Sequence, residues 1–485
     1  MTVEDLAKYQ QDGRQAHPAL AIGSDVEIAG RVANELQARD GDIISCEGAF
    51  WRFEETCWRP IPDHELRVAV HAYDGSAYIT ANGQPGRVSL NKTRVSSIIN
   101  EMSAMLAAPG FFDQAAVGIN CASGFVRFLD DGTPQLEAHS PEHRCRNVLP
   151  GHWSPDIPDS AYHDSLLVKL IRGCFAGYDS AGKKDILEEI AGATALGWST
   201  RLLKPKAVVL WGKKAENGKS QILDMLRGLL PRSAMCSIPP HRLGDERYVP
   251  HLAGKLLNAN DEVKSAESIA SEAFKSAITG EPMSGRDVYK SSVEIRPQAL
   301  HVFAVNELPM FKGGMDRGVM RRLLVVRFDR TIPGEERVPH IGQRIADEEP
   351  HLLLDFAIRG AQRLIRRGCY NEPQSSVEAL HKWIAGADPV QAWLGTIKVT
   401  GKRNDRVRTR DAYKAFRDWA LDEGYKDQQL PASNRFAERV EAHADVDVAH
   451  PKRVSTLRGL RLEARDNDDQ PEDDQPELGE GLGEG

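Results

Sequence analysis

Residues 207–230 read AVVLWGKKAENGKSQILDMLRGLL: an apolar run, a turn ending Asn217-Gly218-Lys219-Ser220, then an amphipathic helical pattern. Strand, glycine turn and helix in that order suit a nucleoside triphosphate. Backbone N–H groups around Gly218 can wrap the phosphates, and the helix opening near Lys219 adds its positive dipole end. Lys219 can reach the outer phosphates, while the Ser220 hydroxyl can ligate Mg²⁺. The usual spacing places four residues between the first glycine and Gly-Lys, but five follow Gly212 here, beginning with Lys213 and Lys214. Lys214 could add a phosphate contact or simply face water. The candidate nucleotide-binding set is Gly212, Lys214, Asn217, Gly218, Lys219 and Ser220. A Gly-Lys-Ser turn also occurs in ordinary loops, so the flanking strand and helix carry much of its meaning.

A phosphate loop needs partners. The next strand-like run, Lys255–Ala259, leads into Asn260-Asp261-Glu262. Of two adjacent carboxylates, one can hold the Mg²⁺ shell and the other can polarise an attacking water. Asn258 and Asn260 make this run less apolar than most buried strands. Further on, ALHVFAV (299–305) is a better buried strand and ends at Asn306, whose carboxamide could orient water against the terminal phosphate. Then MDRGVMRRLLVVRF (315–328) places Arg321 and Arg322 before another apolar strand. Guanidinium groups there suit an arginine finger reaching from a neighbouring subunit. Between these motifs, FKSAITGEPMSGRDVYKSSVEI (274–295) reads as a helix end followed by a hairpin carrying Arg286 and Lys290, cations suited to a phosphate backbone.

Together, NGKS (217–220), NDE (260–262), KSAITGEPMSGRDVYK (275–290), AVNELP (304–309) and DRGVMRRLLVVRF (316–328) resemble the superfamily 3 helicases. Within these they look like the phage and plasmid primase-helicase family, which includes the poxvirus primase-helicase. The resemblance implies an AAA+-like P-loop ATPase, with ATP and Mg²⁺ as cofactors. It also implies a homo-oligomeric ring, usually a hexamer, moving along single-stranded or forked DNA beside a separate primase or polymerase. In this family's terms Lys219 and Ser220 bind phosphate and metal. Glu262 activates water with Asp261 beside the metal, Asn306 senses the γ-phosphate, and Arg321 or Arg322 is the finger. The resemblance covers most of residues 40–463, including GINCASGFVRFL and EAHSPEHRCRNVLP. Many relatives carry an N-terminal primase domain. The roughly forty residues before the first hairpin are too few for one, and no primer synthesis is expected.

The chain's 485 residues suggest about three domains. The expected order is a helical lead-in (1–39), an α+β module (40–150) and a small helical bundle serving oligomerisation (159–204). The ATPase domain (205–385), a winged helix (390–463) and a disordered acidic tail (464–485) follow. Two strands around Glu54-Glu55-Thr56, braced by Trp51 and Trp58, open the α+β module, and Asp131-Gly132 marks a later hairpin. No apolar run approaches a membrane span and the N-terminus lacks a signal core, so the cytoplasm is the expected compartment, that of a bacterial host for a phage or plasmid gene. Seven scattered cysteines without a Cys-x-x-Cys pair suggest buried free thiols. The net charge of −8 owes much to nine acidic residues in 466–485; without them 62 basic face 61 acidic residues, so global charge is uninformative about nucleic acid.

From Thr409 the pattern is helix, helix, then two strands about a basic loop, the order of a winged helix. Residues 391–464 hold 15 basic and 11 acidic side chains, with Lys402, Arg403, Arg406, Arg408 and Arg410 bunched at the start. Arg403, Arg406 and Arg408 are its DNA-contact candidates; a winged helix that docks protein would share the pattern. The leading expectation is thus an ATP-dependent replicative helicase. The rival is an origin-binding initiator or DNA-binding scaffold that uses ATP to assemble but does not unwind processively.

Overall fold

Ser24 caps the first helix of the described residues, its hydroxyl accepting from the Glu27 N–H. The helix, α1 (Asp25–Asp40), buries Ile28, Val32 and Leu36 along one stripe. The computed structural model describes residues 19–80, 82–197, 199–261, 267–286, 292–312, 315–387, 389–423, 425, 427, 430–450 and 454–464. The lead-in up to residue 18, Glu262, Lys290, the loop at 451–453 and the acidic tail from 465 lie outside them. Next come β1 (Ile43–Cys46), β2 (Ala49–Glu54) and β3 (Cys57–Pro60), paired antiparallel in that order. Two strands were expected here; a second turn at Glu47-Gly48, with φ of 53° and 74°, creates the third. Helix α2 (Asp63–His71), β4 (Ala77–Ile79), β5 (Pro85–Arg87) and α3 (Lys92–Met105) complete a core around Phe50, Tyr73, Val95 and Ile98.

A second antiparallel sheet contains β6 (Gly118–Cys121), β7 (Gly124–Phe128) and β8 (Pro134–Glu137), with the Asp131-Gly132 turn between the last two. Its Ile119, Cys121 and Val126 bury with Leu149 and Trp153 in the large central core, apart from the first. Trp153 Nε1 also donates to Asp355 Oδ1 at 2.9 Å. Helices α4 (Leu166–Phe175) and α5 (Ser180–Leu196) lead into the central sheet.

That sheet starts at β9 (Ala207–Trp211), followed by α6 (Lys219–Gly228), β10 (Met235–Cys236), β11 (Leu257–Asn260) and α7 (Ser271–Thr279). A hairpin of β12 (Met283–Arg286) and β13 (Ser292–Ile295) precedes β14 (Leu300–Val305). The chain then passes through the one-turn α8 (Arg317–Met320) and returns as β15 (Leu323–Arg327). Five strands lie in the order β10-β11-β14-β9-β15, every neighbouring pair parallel. This mixed α/β arrangement is compatible with a P-loop-like fold. The apolar text of β9 and β14 matches strands buried on both faces.

The two asparagines of β11 are buried as well, and Asn258 shows how. Its Oδ1 accepts from the Ile238 N–H at 2.6 Å, and its Nδ2 donates to the Ile238 carbonyl at 3.0 Å. Backbone groups therefore fix the amide's orientation, leaving Nδ2 to donate to His301 Nδ1 at 3.0 Å. Burial lowers the His301 pKa to about 4, which keeps the ring a neutral acceptor. An apolarity count misses this, because the polar atoms are satisfied inside the sheet.

Helices α9 (Ile341–Glu348) and α10 (Pro350–Arg367) return across the core. Where α10 crosses α5, a Cβ on Gly360 would overlap the Glu188 carbonyl oxygen and one on Gly192 the Ala361 nitrogen. Only glycine allows backbones this close. Beside the crossing, the buried Glu189 carboxylate accepts from Arg363, Arg367 and the Asn371 N–H, so its charge is paired.

The chain divides into two compact units: residues up to 309 with 321–377, and 310–320 with 378 onward. Helix α11 (Gln374–Ala387) spans the second division. The second unit contains α12 (Pro389–Leu394), β16 (Ile397–Val399), β17 (Arg406–Arg408), α13 (Thr409–Asp422), α14 (Ser433–His443), β18 (Asp447–Ala449), β19 (Thr456–Arg458) and β20 (Leu460–Ala464). An antiparallel sheet β17-β19-β18 and a β16-β20 pair surround Trp393, Phe416 and Phe436, whose ring centroids lie 4.9–5.8 Å apart. Among the described residues no helix is long and apolar enough to cross a membrane. All seven cysteines are free; Cys46, Cys57, Cys121 and Cys174 are buried.

Candidate functional site

The loop after β9 is organised around two side chains of the candidate nucleotide-binding set, Lys219 and Asn217. Lys219 opens α6 yet is only 7% exposed. Its Nζ donates to the Gly212 carbonyl at 2.9 Å and to Asn217 Oδ1 at 3.1 Å. Burial lowers its pKa. Asn217 is also buried, and its Nδ2 donates to the carbonyls of Lys214 at 2.7 Å and Phe328 at 3.5 Å. The five-residue interval closes through two left-handed positions, Glu216 (φ 58°) and Gly218 (φ 86°). At Gly218 an added Cβ would also overlap Cys174 Sγ, so glycine is required by both backbone angle and space. Lys214 on the loop and Ser220 in the first turn of α6 are exposed.

Strand register brings the other candidates to the same end of the sheet. Trp211 lies opposite Val305 on β14 and Arg327 on β15, and Asn260 lies opposite Phe303. Gly212, Asn306 and Asp261 therefore follow the carboxyl ends of β9, β14 and β11, where parallel α/β sheets hold ligands. Asn306 is exposed. Asp261 is partly exposed and lies 3.6 Å from Arg227 Nη1 of α6, which also contacts Asp224 at 3.0 Å. Glu262 is outside the described residues. Among the described residues no group of three or more His, Cys, Asp or Glu could hold a metal alone. Mg²⁺ carried by a nucleotide requires fewer protein ligands, since phosphates and water fill most of its shell; Ser220 and Asp261 have the appropriate oxygen chemistry.

Arg321 and Arg322 lie at the opposite end. Leu323 pairs with Ala207, the first residue of β9, and the Arg322 carbonyl accepts from the Ala207 N–H at 2.8 Å. From that rim to the loop is the length of β9, about 17 Å at ~3.3 Å per residue. The two arginines also differ: Arg321 is exposed, whereas Arg322 is only 8% exposed. Arg286 is exposed on the hairpin, where its N–H donates to the Glu246 carbonyl at 2.9 Å. Lys290 is outside the described residues. In the second unit Arg403, Arg406 and Arg408 are exposed. Arg406 and Arg408 share one face of β17, while the intervening Val407 packs on the core.

Sequence reading missed the segment that flanks the loop. After β15, the Phe328 carbonyl accepts from Asn217, the Ile332 N–H donates to the Glu216 carbonyl at 2.9 Å, and Arg337 Nη2 meets Glu216 Oε2 at 2.6 Å. Arg337 Nε returns to the Ile332 carbonyl at 2.7 Å, forming a strap from β15 to the loop. The Glu216–Arg337 pair is partly exposed and should add little to global stability. Its expected role is positional: on the nucleotide-binding expectation for the loop, Glu216→Ala or Arg337→Ala should raise the KM for ATP about two- to fivefold, corresponding to ~0.5–1 kcal/mol, without a significant change in melting temperature. The exchanged pair Glu216→Arg with Arg337→Glu should recover most of that loss in steady-state kinetics; no recovery would remove the strap's role.

Residues 210–322 match a family of unknown function, DUF5906. The match runs from β9 to Arg322 and includes the loop, Asp261 and Asn306. No curated protein matches the chain. Solved structures of the C-terminal region of NrS-1 are similar. One aligns with a TM-score of 0.45 and 13% identity over 86% of this chain and 87% of that one. A second has a TM-score of 0.46 and 12% identity over 89% and 99%, and a third 0.43 and 12% over 89% and 98%.

Proposed function

We propose that this chain is an ATP-dependent DNA helicase of the replicative type, working as a homo-oligomeric ring on single-stranded or forked DNA. The observation that carries the reading is the separation across one sheet of the Gly212–Ser220 loop and the Arg321 guanidinium. Asp261 and Asn306 accompany the loop, whereas Arg321 projects from the other rim, too far to serve its own nucleotide. A neighbouring subunit whose loop faces that rim would receive the arginine, making the intact site a property of the assembly. In this reading Lys219 and Ser220 hold phosphate and Mg²⁺, Asp261 and Glu262 supply the carboxylates, and Asn306 senses the terminal phosphate. The parallel five-strand order, with the loop strand between β14 and β15, supports the AAA+-like arrangement the motifs imply.

Hairpin residues Arg286 and Lys290 would then grip the DNA backbone, and the second unit would act as a winged helix. Its order α12, β17, α13, α14, β18, β19 supports that assignment, with Arg403, Arg406 and Arg408 as phosphate contacts. The test is ATP hydrolysis with and without single-stranded DNA, followed by strand displacement on a forked duplex. DNA-stimulated turnover with displacement is the expected result. Stimulated turnover without displacement at any ATP concentration would replace the helicase by an ATP-dependent initiator or DNA-binding scaffold.

A further inference from the structure

A cavity of about 100 Å³ lies at the amino-terminal rim of the central sheet, away from the nucleotide loop. Gly254 and Leu256 precede β11, Gln298 precedes β14, and Gly197 ends α5; these form one side. Phe112, Arg144 and Arg146 come from the segments flanking β6–β8 and form the other. Its eighteen lining residues include Arg144, Arg146 and Arg201 and no acidic residue. On a chain whose body is nearly charge-neutral, that is a local excess of cations.

Two arginines are anchored to one turn. Arg144 Nη1 donates to the Phe111 carbonyl at 3.2 Å and Gln114 Oε1 at 2.6 Å, and Arg201 Nη2 donates to the Asp113 carbonyl at 2.9 Å. Among the described residues neither has a carboxylate partner, and these bonds leave guanidinium hydrogens on both available. Arg144 is held with a left-handed backbone, φ 54°, a costly conformation for a non-glycine residue. Arg144 also lies over the Phe111 ring, 4.6 Å from its centroid. Arg146 pairs with Glu47 and lies 3.8 Å from the Phe112 ring centroid and 5.2 Å from that of Trp51. It stiffens the wall and occupies the nearby aromatic faces. The cavity therefore offers fixed charge but no open stacking platform, which suits a phosphate rather than a base.

We propose that Arg144 and Arg201 form a phosphate-binding site for the backbone of single-stranded nucleic acid, separate from the nucleotide loop. This inference rests on the helicase reading for its polynucleotide. Gln298 lines the cavity three residues after β13, so the site continues from the root of the Arg286 hairpin. Phosphate contacts of this kind bind without regard to sequence.

The experiment compares full-length wild type, Arg201→Gln, Arg144→Gln/Arg201→Gln, and Arg67→Gln as a control on a distant helix. Anisotropy of a fluorescent oligo(dT) is measured over a salt series, with DNA-free ATP turnover and thermal melting in parallel. The double variant should bind the oligonucleotide about tenfold more weakly. Its log Kd against log salt slope should fall by roughly 1.4, at ~0.7 per single-strand phosphate contact, with DNA-free turnover unchanged. Arg201→Gln alone should show about half that slope change, and because Arg201 is exposed it separates binding from folding defects. Wild-type affinity and slope in both variants would overturn the site and leave the helicase reading standing. Failure of the wild type to bind the oligonucleotide would overturn both.

Discussion

Lys219→Ala should reduce ATP turnover by at least about a hundredfold, the scale on which one preorganised donor to a developing charge acts. Lys219 opens α6 beside the loop, its ammonium bonded to loop oxygens that the proposed nucleotide would replace, and among the described residues no other lysine shares its place at the start of α6. Its loss removes two hydrogen bonds, to Gly212 and Asn217, that are local to the loop at the sheet's rim and outside the apolar core. The melting temperature should therefore change little while the hydrolysis rate collapses. Turnover within threefold of wild type would exclude the loop from the chemistry.

Arg321→Ala should cost about a thousandfold or more in turnover, as loss of an arginine finger does, with nucleotide affinity nearly intact. Arg322→Ala tests the alternative finger and carries a second effect. Arg322 is 8% exposed where Arg321 is exposed, so its removal should disturb packing at the start of β15 and lower the melting temperature by about 3 °C. The decisive measurement mixes Lys219→Ala with Arg321→Ala subunits. If the arginine acts on a neighbour, roughly a quarter of the interfaces in randomly mixed head-to-tail rings have both groups intact, so activity absent from either variant returns. No recovery over a full titration of mixing ratios would place the arginine's role within its own subunit.

How much was legible in sequence depended on the range of the interactions. The β9 loop and helix were legible because local text fixes them: five buried residues, a glycine with left-handed backbone, and an amphipathic continuation. So were β14 and β15, whose apolar runs permit little except a buried strand. The third strand at 43–60 was missed because its extra turn needs a non-glycine residue, Glu47, in the left-handed region, for which Glu is an uninformative signal. Strand β17 spans only Arg406–Arg408 and reads as a basic loop; pairing with β19 makes it a strand. Among the candidate site residues, the spacing of motifs identified which side chains to examine but not which rim each occupies. That requires the parallel register, a long-range property. The strap from Phe328 to Arg337 was invisible for the same reason, because its bonds join residues more than a hundred positions apart.

The inward position of Lys219 has a final consequence. Under the proposed function, a loop that already satisfies its own cation takes up nucleotide by exchange: two neutral oxygens, the Gly212 carbonyl and Asn217 Oδ1, are displaced by the incoming group. A neutral nucleoside cannot make that substitution favourable, whereas a polyphosphate supplies concentrated negative charge to draw the ammonium outward. On the proposed reading the loop therefore discriminates by charge before any contact with the base, and the release of Lys219 and the recognition of triphosphate are one event.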